Sequence, residues 1–330
     1  MKKTLFYLPL IFFVFSCKNL ENPGKKISSG KSIKILNWNL ETFFDGEFDG
    51  NEYKEFSCES YGWNKEKYIQ RLERLAKVIK QSDADIVIMQ EVEKKEQLHD
   101  IYNWLCFNFN HSKNYNYGCF AKNDDSSIGL ALISRLPVLN ATIHNIDVKT
   151  ESSAQPSLRP IFRVNFNIEG KNLAILVNHW KSKSGGEEKT EIWRNYQEKT
   201  LSKLFSQCRQ EGFEVFACGD FNKDIREFCK IEDALSKTNI KLKGKDGIDF
   251  DVYSPWFLQD GSLFETGSYW YNGGWERIDH FFAGTNILIT DFKVENNGEW
   301  AGENGKPLRY YMKNGSGYSD HFPISCHIVL

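Results

Sequence analysis

Proline and methionine are scarce in this chain, 8 and 3 of 330 residues, and its 24 glycines are far too few for a collagen-like or low-complexity protein. Long apolar runs are missing too, save one near the N-terminus, which excludes a polytopic membrane protein. None of the eight cysteines falls in a CxxC pair, so neither a zinc ribbon nor a thioredoxin-like motif is indicated. Nor is there an excess of positive charge. Lys and Arg number 42 against 44 Asp and Glu, a formal net charge of -2, so a polyanion would have to be held by a local cluster or a metal. What the chain does have is aromatic mass, 15% of its residues, which suits a sheet-rich core and an aromatic-lined cleft. With 41% hydrophobic and 26% charged residues it has the composition of one large globular domain, or at most two.

The single apolar run, from Leu5 to Phe15 behind Lys2 and Lys3, is too short to span a bilayer and reads as the core of a secretory signal. Val14-Phe15-Ser16-Cys17 resembles a bacterial lipoprotein cleavage box, with Val14 where Leu is usual, and would make Cys17 the lipidated first residue of the mature chain. Residues 1–16 are thus expected to be a signal peptide and 17–31 a lipidated N-terminus with a flexible tether. The expected location is the cell envelope, anchored to a bacterial membrane, or the medium if Cys17 is not lipidated. Loss of residues 1–16 removes two lysines and leaves a formal charge of -4. An exported chain could form disulfides, but the spacing of the remaining cysteines gives no connectivity.

From residue 32 onward no repeat or linker interrupts the pattern, which implies one α/β domain over 32–330. Residues 65–80 carry Ile69, Leu72, Leu75, Ala76 and Ile79 at helical spacing with charges on the other face, and 94–105 and 187–208 read as further helices. Strands are expected over 32–40, 85–89, 128–133, 160–167, 171–178, 213–218, 277–282 and 322–329, with 230–274 rich in loops.

Acidic, amide and imidazole side chains recur at the ends of these strands in six places. Asn39 and Glu41 in NWNLE are two apart and so project from one face of a strand. Glu91 in MQEVE closes a buried strand, where a carboxylate suits a hard cation. VNHWKSKSGG offers His179, able to exchange a proton near neutral pH, and Lys181, able to hold a phosphate. GDFN sets Asp220 and Asn222 two apart behind a glycine that permits a tight backbone. Asp279 in ERIDHFF is an inward carboxylate that needs a partner, and SDHFPI joins Asp320 to His321 just before the last strand. Each has a bland reading as a cap, a turn or a structural histidine; the ordered set is what carries weight.

NWN, QE, NH, GDFN, RIDH and SDH, in this order, resemble the endonuclease/exonuclease/phosphatase superfamily of metal-dependent phosphoesterases, which includes pancreatic-type deoxyribonuclease. The resemblance spans residues 33–330. It implies a four-layer α/β sandwich, two central mixed sheets with helices outside, and in-line attack of water at phosphorus with Mg2+ as cofactor, Mn2+ or Ca2+ being alternatives. It implies Glu91 as principal metal ligand, with Asn39, Glu41 and Asp320 beside it. Asp220 and Asn222 would orient or deprotonate the water, His321 and Asp279 would form a catalytic pair, and His179 would be an acid toward the leaving oxygen. Arg159 and, more weakly, Arg135 match phosphate-binding arginines. Lys181, Lys183 and Arg194 suit a nucleic-acid backbone, and Tyr269, Trp270, Tyr271 and Trp275 could stack on bases. A monomeric exported nuclease acting on DNA or RNA is the first expectation. A sphingomyelinase-type or other small phosphodiesterase is the second, and a non-catalytic surface-binding lipoprotein is the remote third.

Overall fold

The computed structural model describes residues 13–14, 32–57, 62–108, 113–148, 155–231, 239–258 and 260–330. The expected signal, Cys17 and the tether lie outside the described residues, apart from a two-residue strand β1 (Phe13–Val14). A first mixed sheet joins β1 to β4 (Tyr117–Ala121), β5 (Gly129–Ser134), β3 (Ile86–Val92), β2 (Ile33–Phe43), β17 (Ile324–Val329) and β16 (Leu288–Val294), in that order. A second runs β10 (Cys229–Lys230), β11 (Asn239–Leu242), β12 (Phe250–Tyr253), β15 (Asp279–Ala283), β9 (Glu214–Asp220), β8 (Lys171–His179), β7 (Ile161–Ile168) and β6 (Val138–His144). The hairpin β13 (Tyr269–Tyr271) and β14 (Gly274–Glu276) stands apart. Among the described residues only β2 with β3 and β8 with β9 pair in parallel; the other pairings are antiparallel.

Side-chain alternation builds the layers. Ile35, Ile86 and Ile88 point into the core between the sheets, which they share with Phe162, Val164, Phe216 and Phe281, while Leu36, Val87 and Met89 point the opposite way. That outer face is covered by α1 (Lys65–Ser82) and α2 (Glu96–Asn108), and α3 (Glu187–Gln210) covers the second sheet through Leu201, Leu204, Phe205 and Cys208. This is the expected four-layer sandwich. Asn64 caps α1, its side chain accepting from the Lys67 N–H at 3.0 Å, and Asp83 ends that helix in a left-handed conformation.

Three features depart from the sequence pattern. Ile69 sits at the edge of the α1 apolar stripe and is exposed, whereas Arg71, grouped with the solvent-facing charges, is fully buried. Five short strands, of two to four residues, fall wholly or partly in the described part of 230–274 besides its loops, too brief for a period-two signal. Among the described residues Cys119, Cys208, Cys218, Cys229 and Cys326 are free thiols.

Candidate active site

The C-terminal ends of the two parallel pairs meet at one edge of the sandwich, and a cleft of about 910 Å3 opens there. Open α/β sheets bind ligands at such strand ends because the last side chains and the turns after them are freed from pairing. Here the turns are irregular. Register shifts between Asn39 and Phe43 in β2 and between Gln90 and Val92 in β3, and the residues in the bulges, Glu41, Thr42 and Glu91, take left-handed φ values of 52°, 50° and 65°. Left-handed backbone at a non-glycine residue costs on the order of 1–3 kcal/mol, so the surrounding structure must impose it. Arg71 does much of that. Its guanidinium donates to the carbonyls of Leu40, Glu41, Thr42 and Tyr318 and lies 3.9 Å from the Tyr310 ring centroid. The result aims the Glu91 carboxylate into the cleft, where its Oε2 accepts from the Thr42 N–H at 2.6 Å.

On the second sheet the register does the work. His179 pairs with Asp220 across β8 and β9, and Asp220 pairs with Asp279 across β9 and β15, so three functional side chains share one row. Gly219 makes this possible: its φ is 137°, and a Cβ there would lie 1.9 Å from the Asn178 carbonyl oxygen. His321 arrives from the turn before β17, pinned by Trp38 Nε1 donating to its carbonyl at 2.9 Å and by its own N–H donating to Ser319 Oγ at 3.1 Å.

These groups form one network. Asn39 Nδ2 donates to Asp220 Oδ2 at 3.0 Å and to Glu91 Oε1 at 3.3 Å, linking the two sheets. Asp220 also accepts from the Asn222 N–H at 2.8 Å and Asn222 Nδ2 at 3.2 Å. His321 Nδ1 lies 2.8 Å from Asp279 Oδ2. His179 Nε2 stands 3.6 Å from both Glu91 and Asp220, within ion-pair range but beyond a hydrogen bond.

Burial and crowding set the charges. Burial, reinforced by Asp279, lifts the Asp220 carboxyl to about 7, against the pull of His321 and the Asn222 N–H. Burial alone would lower His321, but Asp279, Asp320 and Asp220 around it hold the imidazole well above its ordinary value. His179 goes the other way: burial, with Arg159, His321 and Lys181 nearby, holds it well below its ordinary value. It is therefore neutral near pH 7, which conflicts with the expected role of proton donor to a leaving oxygen. Burial and Asp320 push Glu41 up to about 7.

Asn39, Glu41, Glu91, Arg159, His179, Asp220, Asn222, Asp320 and His321 all line the cleft, and Asp279 lies directly behind His321. Other expectations need correction. Asn39 faces the carboxylates with its amide nitrogen while its Oδ1 accepts from the Glu41 N–H at 3.0 Å, so here it bridges as a donor and not through its oxygen. Glu41 is engaged by Arg309 at 2.9 Å and by the Tyr310 N–H at 2.7 Å. Lys181 is not among the lining residues. Arg194 is buried and holds the backbone carbonyls of Lys181 and Glu187, and Arg135 pairs with Asp83 at 2.7 Å against the Tyr115 ring; both arginines brace the fold. Of the four aromatics only Tyr269 and Tyr271 line the cleft, for Trp275 stacks on Phe322 and Trp270 meets Trp275 edge-on.

Tyr53, Arg309 and Tyr310 also line the cleft, and no motif announced them. A second group of carboxylates, Asp49, Glu52 and Glu93, lies within 4.8 Å of one another away from this site. Lys94 serves it, 2.9 Å from Asp45, 3.1 Å from Asp49 and 3.6 Å from Glu93.

Comparison with known proteins agrees with the geometry. Residues 34–329 match the model of the Endonuclease/Exonuclease/phosphatase family. The chain belongs to that family. No curated protein matches the sequence. Among solved structures, truncated TDP2 of Caenorhabditis elegans superposes with a TM-score of 0.57 at 16% identity, over 92% of this chain and 99% of that one. An endonuclease/exonuclease/phosphatase family protein from Bacteroides thetaiotaomicron gives 0.53 at 13%, over 92% and 99%. TDP2 of D. rerio complexed with single strand DNA product gives 0.52 at 15%, over 90% and 98%. At such identities the likeness establishes the shared fold, and family membership makes the protein a phosphoester hydrolase. Enzymes of this family generally depend on a divalent metal, and the residues at hand fit one. Glu91, Glu41 and Asp320 all offer carboxylate oxygens to the cleft, and Asp320 is near enough to Glu41 to add to the effect of burial in raising its pKa.

Proposed function

We propose that the protein is an exported, Mg2+-dependent phosphodiesterase that hydrolyses nucleic acid. The observation that carries the reading is the Asp220 carboxylate, held near pH 7 and oriented by two Asn222 hydrogen bonds, between a charged His321 and the Glu91 wall. A base with that affinity for protons is matched to deprotonating water at neutral pH. Glu91 and Asp320 would hold Mg2+, whose contribution when bound is to neutralise charge on the phosphoryl and leaving oxygens.

The chain's own groups do the rest. Asp220 accepts the proton of the attacking water, and Asn222 holds that carboxylate in place. Protonated His321, its Nδ1 donating to Asp279, presents Nε2 to a phosphoryl oxygen where negative charge grows, and preorganised donors of this kind are often the largest contributors to rate. Neutral His179 and the Arg159 guanidinium orient the other phosphoryl oxygens. Tyr269 packs on the His321 ring at 4.7 Å between centroids and keeps it from turning. The single-stranded DNA product carried by the D. rerio relative supports the choice of nucleic acid.

The test is product release from plasmid DNA, RNA, sphingomyelin and inositol phosphates, with Mg2+ and with EDTA. Release from DNA or RNA is expected, lowered well over ~100-fold by His321→Ala. Release from sphingomyelin alone would replace the nuclease by a lipid phosphodiesterase, and no release from any would favour a binding protein. We also propose that Cys17 is lipidated and anchors the chain to the cell envelope. Cys17→Ala would then move the protein from the membrane fraction to the soluble one; an unchanged distribution would refute the anchor.

A further inference from the structure

We infer that the cleft accepts one phosphodiester at a time, at a free strand end or in a very short single strand, and is not a groove that follows a duplex; this rests on the nuclease reading above. The case is a count of charges that are free to meet phosphate. Besides His321 at the reacting phosphate, three cationic side chains line the cleft: Arg159, Lys183 and Arg309. Two are committed. Lys183 Nζ sits 2.7 Å from Glu187, 2.9 Å from Glu227 and 4.0 Å from Glu276, and Arg309 holds Glu41 at 2.9 Å. Arg159 is in no ion pair among the described residues; its buried Nε has no hydrogen-bond partner, its Nη1 reaches the Trp180 carbonyl at 3.5 Å, and its other contact is a hydrogen bond with the uncharged Tyr53 hydroxyl.

The surroundings of that one guanidinium carry the opposite sign. Glu55, Glu187 and Glu276 line the cleft beyond the catalytic groups. A nucleic-acid strand carries one charge per roughly 3.4 Å, so a strand lying along the cleft would bring its flanking phosphates toward the walls that these carboxylates line. Repulsion there works against a polymer lying along the cleft and has little hold on a terminus. Stacking supplies what charge does not. The rings of Tyr269 and Tyr271 lie 15° from parallel with centroids 6.1 Å apart beside His321, and both line the cleft. That is a platform for one or two bases next to the reacting phosphate.

The experiment compares the dinucleotide dTpdT, a single-stranded 30-mer and closed-circular plasmid, with bis(p-nitrophenyl) phosphate as a control for the chemistry, at 50 and 200 mM salt. The inference expects kcat/KM for dTpdT within about tenfold of the 30-mer, and only about a threefold loss for the 30-mer between the two salt concentrations, as for a single phosphate contact on a single strand. It also expects the plasmid to be nicked at least ~100-fold more slowly than the 30-mer is cut. Glu55→Lys with Glu187→Lys should raise the ratio of plasmid to dTpdT turnover by up to about tenfold at low salt and steepen the salt dependence. Plasmid nicking as fast as 30-mer cleavage, falling by ~10^3 over the same salt range as it does for six or more phosphate contacts, would overturn the inference and leave the nuclease reading standing. Cleavage of bis(p-nitrophenyl) phosphate with none of the three nucleic acids cleaved would overturn both.

Discussion

Replacing Asp220 by asparagine separates what this carboxylate does for catalysis from what it costs the fold. Its charge is buried beside Asp279, which lifts its pKa to about 7, against the ordinary 3.8 of an exposed aspartate. A carboxyl whose folded pKa lies above its unfolded one binds its proton more tightly in the native state. Its contribution therefore favours folding at low pH, and is lost as pH rises from the unfolded toward the folded value. At ~1.4 kcal/mol per unit, the loss between pH 5 and pH 7 is on the order of 3 kcal/mol, complete by pH 8. Asparagine does not titrate, so the variant escapes it.

Asparagine brings a different cost, since Asp220 Oδ2 accepts from both Asn39 Nδ2 and Asn222 Nδ2, and an amide nitrogen in that place sets donor against donor. One such conflict costs about 1–3 kcal/mol, but it is the same at every pH. The useful quantity is thus a double difference. Urea unfolding of the wild type and of Asp220→Asn, at pH 5 and pH 8 in EDTA, should show the variant gaining on the wild type by roughly 3 kcal/mol between the two pH values. Activity in Mg2+ should fall at least ~100-fold. A stability difference that does not move with pH, or moves the other way, would refute the assignment of a burdened carboxylate at this position.

Asp279→Asn removes the partner of His321 Nδ1 at 2.8 Å, and turnover should fall by about 10^2–10^4. Because Asp279 helps hold the imidazole above its ordinary value, the alkaline limb of the pH–rate profile should move to lower pH; a fall in rate with an unmoved limb would refute the coupling. Arg71→Ala would take the guanidinium donor from the carbonyls of Leu40, Glu41, Thr42 and Tyr318, of which Glu41 and Thr42 keep a second donor in Thr42 Oγ1 and the Phe44 N–H, and a loss of about 3 kcal/mol in urea unfolding is expected. Arg71→Lys should restore little of it, since an ammonium lacks the planar fork. Mg2+ at about 100 times its dissociation constant should stabilise the wild type by about 2.7 kcal/mol in thermal unfolding, and EDTA should remove both that gain and the activity; a melting temperature indifferent to Mg2+ would argue against a carboxylate-held cation.

Much of the fold could be read from the sequence because burial writes its period into the strands. DIVIM is apolar throughout since β3 is covered on both faces, and the α1 stripe is clear because one side of that helix meets Leu36, Val87 and Met89. Strands β4, β6 and β16 escaped notice. They lie toward the margins of their sheets, and β6 and β16 leave much of their length exposed, so their sequences are only half patterned. The site was legible in residue type and order but not in orientation. NWN and QE announce Asn39 and Glu91, yet whether Asn39 turns oxygen or nitrogen to Glu91 depends on the Glu41 N–H, and that N–H points where it does only because the bulge is left-handed.

The same reasoning explains why Arg71 and Arg309 could not be found beforehand. A guanidinium on a helix face or in a loop reads as a solvated charge unless the partner it meets in space is known, and the partners here are backbone carbonyls of the β2 bulge for Arg71 and the Glu41 carboxylate for Arg309, 29 to 268 residues away in sequence. Those carbonyls need a donor because the bulge has taken them out of the sheet ladder. The bulge, in turn, is what brings Glu91 and the Asn39 amide to the mouth of the cleft. Strain at Glu41, Thr42 and Glu91, the buried Arg71 and the convergent carboxylates are therefore one arrangement, in which a locally unfavourable backbone is held by a distant cation so that like charges can be gathered around a phosphate.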